Sequence, residues 1–291
     1  MMSSPQPVLR FAAPSASPSA RRCDQQPALT LFAIGLMGMG VIALVVGDFA
    51  MVWQPVASWI PGRTALAYAA GVLELTVGCG LLFNRSRAWA VRILFPGLIL
   101  WASLKLPAVL VAPKMEAVWL GLGELTLLLS GGWTLFAQLA DLPKGSVFAF
   151  AAGERGLRAA RMLFAASLPP IGLSHFVYLQ ATVHLVPAWL PYRAGWARLA
   201  GAGQIASGLG VLFGVLPRLA AWAEAAQISI YTLLIWLPAC IMISAANLHA
   251  VSGQSGGRLP FTAFFISWII AAAAWTVAQN ISSKAAARAE K

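Results

Sequence analysis

Residues 59–83, WIPGRTALAYAAGVLELTVGCGLLF, and residues 189–213, WLPYRAGWARLAGAGQIASGLGVLF, decide how this chain is read. Trp59-Ile60-Pro61 returns 130 positions later as Trp189-Leu190-Pro191. At the same spacing Gly71-x-x-Glu74-x-x-x-Gly78-x-Gly80-x-Leu82-Phe83 returns as Gly201-x-x-Gln204-x-x-x-Gly208-x-Gly210-x-Leu212-Phe213. Leu106-Pro107 answers to Leu237-Pro238 at an offset of 131, and Trp133-Thr134 to Trp275-Thr276 at a larger one that absorbs the Gly-rich stretch 252–257. Chance matches scattered small residues but not an ordered series, so the pattern implies an internal duplication.

Both copies lie within long apolar runs. Of 291 residues, 59% are hydrophobic and 10% charged, and the mean hydropathy is +0.77. Soluble domains carry roughly 25% charged residues, so a soluble enzyme is excluded and a polytopic membrane protein is implied. A spanning helix needs about 20 predominantly apolar residues. Eight runs meet or approach that length: 28–50, 64–83, 88–111, 116–138, 158–179, 195–215, 219–243 and 259–279. The expected architecture is all-α and integral to the membrane, with eight transmembrane helices in two four-helix repeats. An even number of spans per copy gives both the same orientation, so the repeats are parallel about an axis along the membrane normal. The expected organisation is a disordered cytoplasmic N-terminus (1–27), a first repeat (28–141), a cytoplasmic linker (142–157), a second repeat (158–280) and a cytoplasmic tail (281–291). The first apolar run is longer than a signal-peptide core and reads as a retained helix.

The net charge of +11 does not point to nucleic acid, because Lys and Arg sit at the ends of apolar runs rather than along one basic stripe. With the N-terminus inside, fourteen fall on the inner side, among them Arg21, Arg22, Arg85, Arg87, Arg92 and Lys144. Five fall outside: Arg63, Lys114, Arg193, Arg198 and Arg258. This bias places both termini in the cytoplasm of a multi-pass cell-membrane protein. Trp53, Trp59, Trp189, Tyr192 and Trp196 then gather at the outer interface as an aromatic belt. Cys23, Cys79 and Cys240 form no C-x-x-C and read as inert thiols.

The outer segment ending Val-Pro-Ala-Trp-Leu-Pro, the helix Gly-x-x-Glu/Gln-x-x-x-Gly-x-Gly-x-Leu and the Arg-bearing turn after it resemble the DoxX-like family of four-helix membrane units. The likeness is closest over 171–279, with the first half a diverged second copy. The resemblance implies the four-helix unit and, through some relatives, an association with thiosulfate:quinone oxidation or other membrane redox partners; many relatives have no assigned activity.

Charge is rare inside the spans and therefore informative, since a charge at mid-bilayer costs ~2.5–3.5 kcal/mol on insertion scales. Glu74 lies near mid-span on the face shared by Gly71 and Gly78. Small residues allow close helix approach, so that face should turn into the bundle. Lys105 in the third span, Glu124 in the fourth and Asp48 at the end of the first complete one ionisable group per span. A Glu74–Lys105 ion pair is expected, with an excess of acid that leaves at least one carboxyl protonated. In the second half Gln204 stands at the Glu74 position and His175-Phe176 where Asp48-Phe49 stood, while Glu224 is expected to meet a basic residue at the cytoplasmic edge. This favours the first half as the active one.

Two readings of Glu74, Lys105 and Glu124 stay open: a catalytic, proton-handling site beside a quinone head group, or a structural network holding four helices in register. A quinone needs an apolar slot with a proton source at its carbonyl, which a buried carboxylic acid supplies. Asp48, His175 and Gln204 are weaker ligand-binding candidates; His175 follows Pro169-Pro170, and prolines within a span often mark a broken helix lining a cavity. His175, His184 and His249 lack metal- or haem-ligand spacing, so no metal site is expected. The function expected is a subunit associated with quinone-linked or other membrane redox chemistry, working in the lipid bilayer with a redox partner protein. A small-solute transporter and a non-catalytic membrane scaffold are the alternatives.

Overall fold

The computed structural model describes residues 26–50, 52–242 and 258–289, and among them there is no strand. In chain order the helices are α1 (Gln26–Val46), α2 (Arg63–Leu82), α3 (Arg87–Ser103), the short α4 (Leu106–Val111), α5 (Glu116–Leu139), a 3-10 turn (Val147–Ala151), α6 (Gly153–Val177), the short α7 (Leu179–Leu185), α8 (Arg193–Phe213), α9 (Pro217–Tyr231), a π-helical turn (Thr232–Trp236), α10 (Leu237–Met242) and α11 (Arg258–Ala289).

Six helices, α3–α4 and α9–α10 each counted once, are long and apolar enough to cross a membrane. This falls short of the eight expected, for two physical reasons. The fifth expected run is broken: α6 and α7 meet at 92°, so they make a seventh crossing only if taken as one bent span. The sixth, α8, is 21 residues long, but Arg193, Arg198, Gln204 and its glycines dilute its apolarity. The expected linker 142–157 already holds the 3-10 turn and the start of α6, and α11 runs on to Ala289 where a separate tail was expected. The expected N-terminal segment lies outside the described residues up to position 25.

Neighbours in sequence pack side by side, α1–α2, α2–α3, α3–α5, α5–α6, α6–α8, α8–α9 and α9–α11, and α11 returns to α1. The ring is bridged through its middle by α5 against α11. The Ala271–Ala274 stretch of α11 is buried, as are Leu127 and Phe136 of α5. α3 runs on through Pro96 and α6 through Pro169-Pro170, so the break expected at the latter pair is not seen. The backbone is irregular instead one turn ahead of Pro107 and Pro238, where proline has no N–H for the carbonyl four residues back. Before Pro107 the helix is interrupted at Leu104-Lys105, and before Pro238 it widens into the π-helical turn.

Two helix pairs bring backbone onto backbone. A Cβ at Gly71 would lie 3.0 Å from the Gly40 carbonyl oxygen, and one at Gly201 would lie 2.5 Å from that of Gly172. α2 and α8 also begin alike. Gly62 and Tyr192, each just ahead of its helix, are left-handed (φ 68° and 54°). Arg63 Nε donates to the Val56 carbonyl and Arg193 Nε to that of Val186, at 3.3 and 3.1 Å.

Overpacking a tight contact costs about 1–3 kcal/mol, whereas alanine in place of an unencumbered helical glycine is favourable by roughly 0.5–1 kcal/mol. Gly201→Ala should therefore lower the unfolding temperature in detergent, and Gly97→Ala, whose Cβ would meet nothing within 4 Å, should hold or raise it. Equal effects of the two substitutions would contradict the close α6–α8 approach.

Candidate functional site

The connection from α1 to α2 is not a polar loop. Phe49, Ala50, Trp53 and Gln54 are buried, and the segment lies inward as a strap. Its start is tied down electrostatically: Asp48 forms ion pairs with Arg63 and with Arg258 of α11. Arg258 also donates to the carbonyls of Asp48 and Phe49, and the Arg63 guanidinium lies 5.4 Å over the Phe49 ring. The strap then turns on itself. Trp53 N and Gln54 N both donate to the Ala50 carbonyl, at 2.9 and 2.8 Å, and Ala50 N donates to Gln54 Oε1 at 2.8 Å.

That turn aims two adjacent side chains at two carboxyl groups. Gln54 Nε2 donates to Glu74 Oε1 of α2 at 2.6 Å. Trp53 Nε1 donates to Glu124 Oε2 of α5 at 2.7 Å. Hydrogen bonds to a carboxyl group in a low-dielectric interior are strong, and loss of one partner there costs more than loss of the pair.

The expected site residues thus come together in part. Glu74 and Glu124 are joined through neighbouring residues of one strap. Lys105 sits at the break between α3 and α4 with its ammonium against Gly121, in the field of Glu124. The expected Glu74–Lys105 ion pair is not formed, because a neutral carboxamide serves Glu74 instead. Trp53, expected in the aromatic belt, is 8% exposed; Trp59 and Trp189, at 81% and 72%, do lie outward. Asp48 belongs to the clamp described above and borders neither cavity.

Two cavities flank this arrangement. A small one of about 70 Å³ is bordered by Trp53, Gln54, Glu74, Trp101, Leu128 and Ile266. A large one of about 740 Å³ lies among α5–α9, the π-helical turn and α11, and its walls include His175, Gln204, Gln227, Tyr231 and Trp236. Glu124 borders the large cavity while its hydrogen-bond partner Trp53 borders the small one, so this bond forms part of the partition between them. His175 lies against Tyr231, ring centroids 6.2 Å apart. Gln227 donates across to the Ala200 carbonyl at 2.9 Å. Gln204 is buried with its Oε1 unbonded.

Glu224 is fully buried. Among the described residues no ion pair joins it to a basic side chain, contrary to expectation. The polar group it faces is Gln204, although neither carboxyl oxygen meets full hydrogen-bond geometry. His184 is exposed and His249 lies outside the described residues, and among the described residues no group of three His, Cys, Asp or Glu could hold a metal ion.

Trp53, Gln54, Gln227 and Tyr231 went unrecognised by sequence reasoning, as did the Glu224–Gln204 encounter. The available signal was that the apolar run of the first span, read as 28–50, carries on through Met51, Val52 and Trp53. No protein-family model, no curated protein and no solved structure matches this chain.

Trp53→Phe keeps the ring but removes the donor to Glu124, which should cost about 1–3 kcal/mol. In a thermal-unfolding double-mutant cycle with Glu124→Leu the two effects should be non-additive, whereas Lys105→Met paired with Glu74→Gln should be additive. Additivity in the first cycle would remove the Trp53–Glu124 bond as a structural tie.

Proposed function

We propose that this chain is a multi-pass protein of a cell membrane, made of two parallel four-helix repeats of DoxX-like character, that holds a quinone-class ligand in its large cavity and works with a membrane redox partner. The two repeats are supported by the paired features above: matching Arg–Val hydrogen bonds, matching left-handed residues and matching glycine contacts, all on segments 130 residues apart. Counting α6–α7 and α8 as crossings, like α1 and α2, gives eight spans. Both termini then lie on the Lys- and Arg-rich cytoplasmic side.

The large cavity carries the ligand reading. Its volume falls within the roughly 300–1,000 Å³ of small-molecule sites, which are mostly apolar with a few placed polar groups. Trp189, Trp196 and Leu199 both line it and are exposed on the helix bundle. Its mouth is therefore apolar, which suits entry from the bilayer rather than from water. Inside, the Tyr231 hydroxyl offers a donor to a quinone carbonyl, the unbonded Gln204 Oε1 and His175 Nδ1 offer acceptors to the hydroxyls of its reduced form, and Glu124 is the carboxyl that borders the cavity. Glu74 and Lys105 belong to the same intramembrane polar cluster and can hold protons near the site without facing the ligand. The redox centre that exchanges electrons with the quinone belongs to the partner, since the sequence carries no motif for one.

Protein purified in mild detergent should carry extractable quinone, detected by mass spectrometry, in near-stoichiometric amount. Ala226→Trp, placed in the wall of the large cavity, should lower bound quinone by about tenfold or more without changing the unfolding temperature. Protein that carries no quinone and does not bind added ubiquinone-1 would overturn this reading.

A further inference from the structure

The two cavities share a set of wall positions. Glu74, Gly97 and Trp101 border the small one; Gln204, Gln227 and Tyr231, each 130 residues later, border the large one. Leu128 and Ile270 do likewise at an offset of 142, the same that separates Trp133 from Trp275. Four wall positions from three different helices agree. On this correspondence the cavities are one chamber, present once in each repeat.

Their volumes nevertheless differ, about 70 Å³ against about 740 Å³, and the strap is the difference. In the first chamber Trp53 and Gln54, three and two residues ahead of Val56, are buried and spend their N–H groups on Glu124 and Glu74. In the second chamber the same distance ahead of Val186 stand Val183 and His184. They lie on α7, which leaves α6 at 92° and has no buried residue. The first chamber is filled by the chain's own indole ring and carboxamide; the second has the walls without that filling.

The remaining polar groups of the second chamber fit such a guest. Gln204, 3% exposed, keeps an unbonded Oε1, and His175 keeps an unbonded Nδ1. The His175 and Tyr231 rings, inclined by only 33°, form a flat flank. Tyr231 directly precedes the π-helical turn, an irregularity that recurs at functional sites.

We propose that the large cavity binds a flat aromatic head with hydrogen-bonding edges in the place that Trp53 and Gln54 occupy in the first repeat, and that the first chamber is a self-occupied copy that binds nothing. The inference rests on the cavity being a ligand site, as the quinone reading holds, and narrows it: the chamber recognises the ring, while any apolar tail leaves through the mouth between Trp189 and Leu199. It also moves the ligand to the second half, where sequence reasoning had favoured the first.

The test uses the full chain in detergent with ubiquinone-1, indole and geraniol, the last being apolar without a ring. Wild-type protein should bind one ubiquinone-1 per chain, with indole displacing it and geraniol failing to. Thr182→Trp, at a position of α7 that lines the second chamber, sets an indole ring into it from the wall. It should weaken ubiquinone-1 and indole binding by about tenfold or more at an unchanged or raised unfolding temperature. Trp53→Ala with Gln54→Ala should add a second indole site if the variant stays folded. Displacement by geraniol as effective as by indole would overturn the inference while leaving the quinone site standing, as would unaltered binding in the Thr182→Trp protein. Binding of indole without ubiquinone-1 would support the inference and remove the quinone reading; binding of neither would end both.

Discussion

Two adjacent hydrogen-bond donors, the Trp53 indole and the Gln54 carboxamide, are held inside the helix bundle against two carboxyl groups on different helices. Much else depends on this contact. A polar group in hydrocarbon without a partner is costly, so Glu74 and Glu124 can occupy the interior only because the strap reaches them. The strap in turn can leave the surface only because its start is clamped by Asp48, Arg63 and Arg258, which join the first connection to the last helix. The charges stay at the end of the bundle, and neutral donors serve the carboxyl groups inside. That division of labour explains why a lone intramembrane lysine is not the partner of Glu74.

The same strap closes one side of the molecule and leaves the other open. Trp53 and Gln54 reduce the first cavity to about 70 Å³, while α7, set at 92° to α6, lines a cavity of about 740 Å³ on the far side of Glu124. On the proposed duplication, the two halves also redistribute their buried acid. The first half carries it on α2 as Glu74, facing Leu94 of α3; the second has Gln204 on α8 facing Glu224 on α9, with 130 residues separating each member from its counterpart. An acid and a carboxamide meet in both halves, Glu74 with Gln54 and Glu224 with Gln204, although the helices that supply them differ. Keeping the chemistry while exchanging its carriers frees the second strap from its structural duty, which is the condition for a ligand to take its place.

Three irregular parts of the backbone lie around the open cavity, while the Leu104-Lys105 break and the left-handed Gly62, Asp141 and Leu216 do not border it. The α6–α7 bend, the left-handed Tyr192 and the π-helical turn before Pro238 lie on its boundary or next to it. Regular helices satisfy their own backbone in lipid, and departures are tolerated where protein or a cavity lies alongside.

The sequence by itself determined the class of the protein and much of its layout. Apolar runs locate most of the membrane-crossing helices because hydropathy is local, and the Gly71, Glu74, Gly78 spacing located a polar group on a close-packed face because helical period is local too. The motif series around Trp59 and Trp189, with Leu106-Pro107 and Leu237-Pro238, pointed to duplication, but which prolines sit at a break was decided by the fold: Pro107 and Pro238 do, and Pro169-Pro170 do not. Tertiary structure alone decided the partners. Trp53 meets Glu124 across 71 residues and Arg258 meets Asp48 across 210, separations over which neither periodicity nor charge counting carries information. Counting charges favoured Lys105 for Glu74, yet what satisfies a buried carboxyl is any donor brought to it at the right distance, and only the folded chain sets that distance.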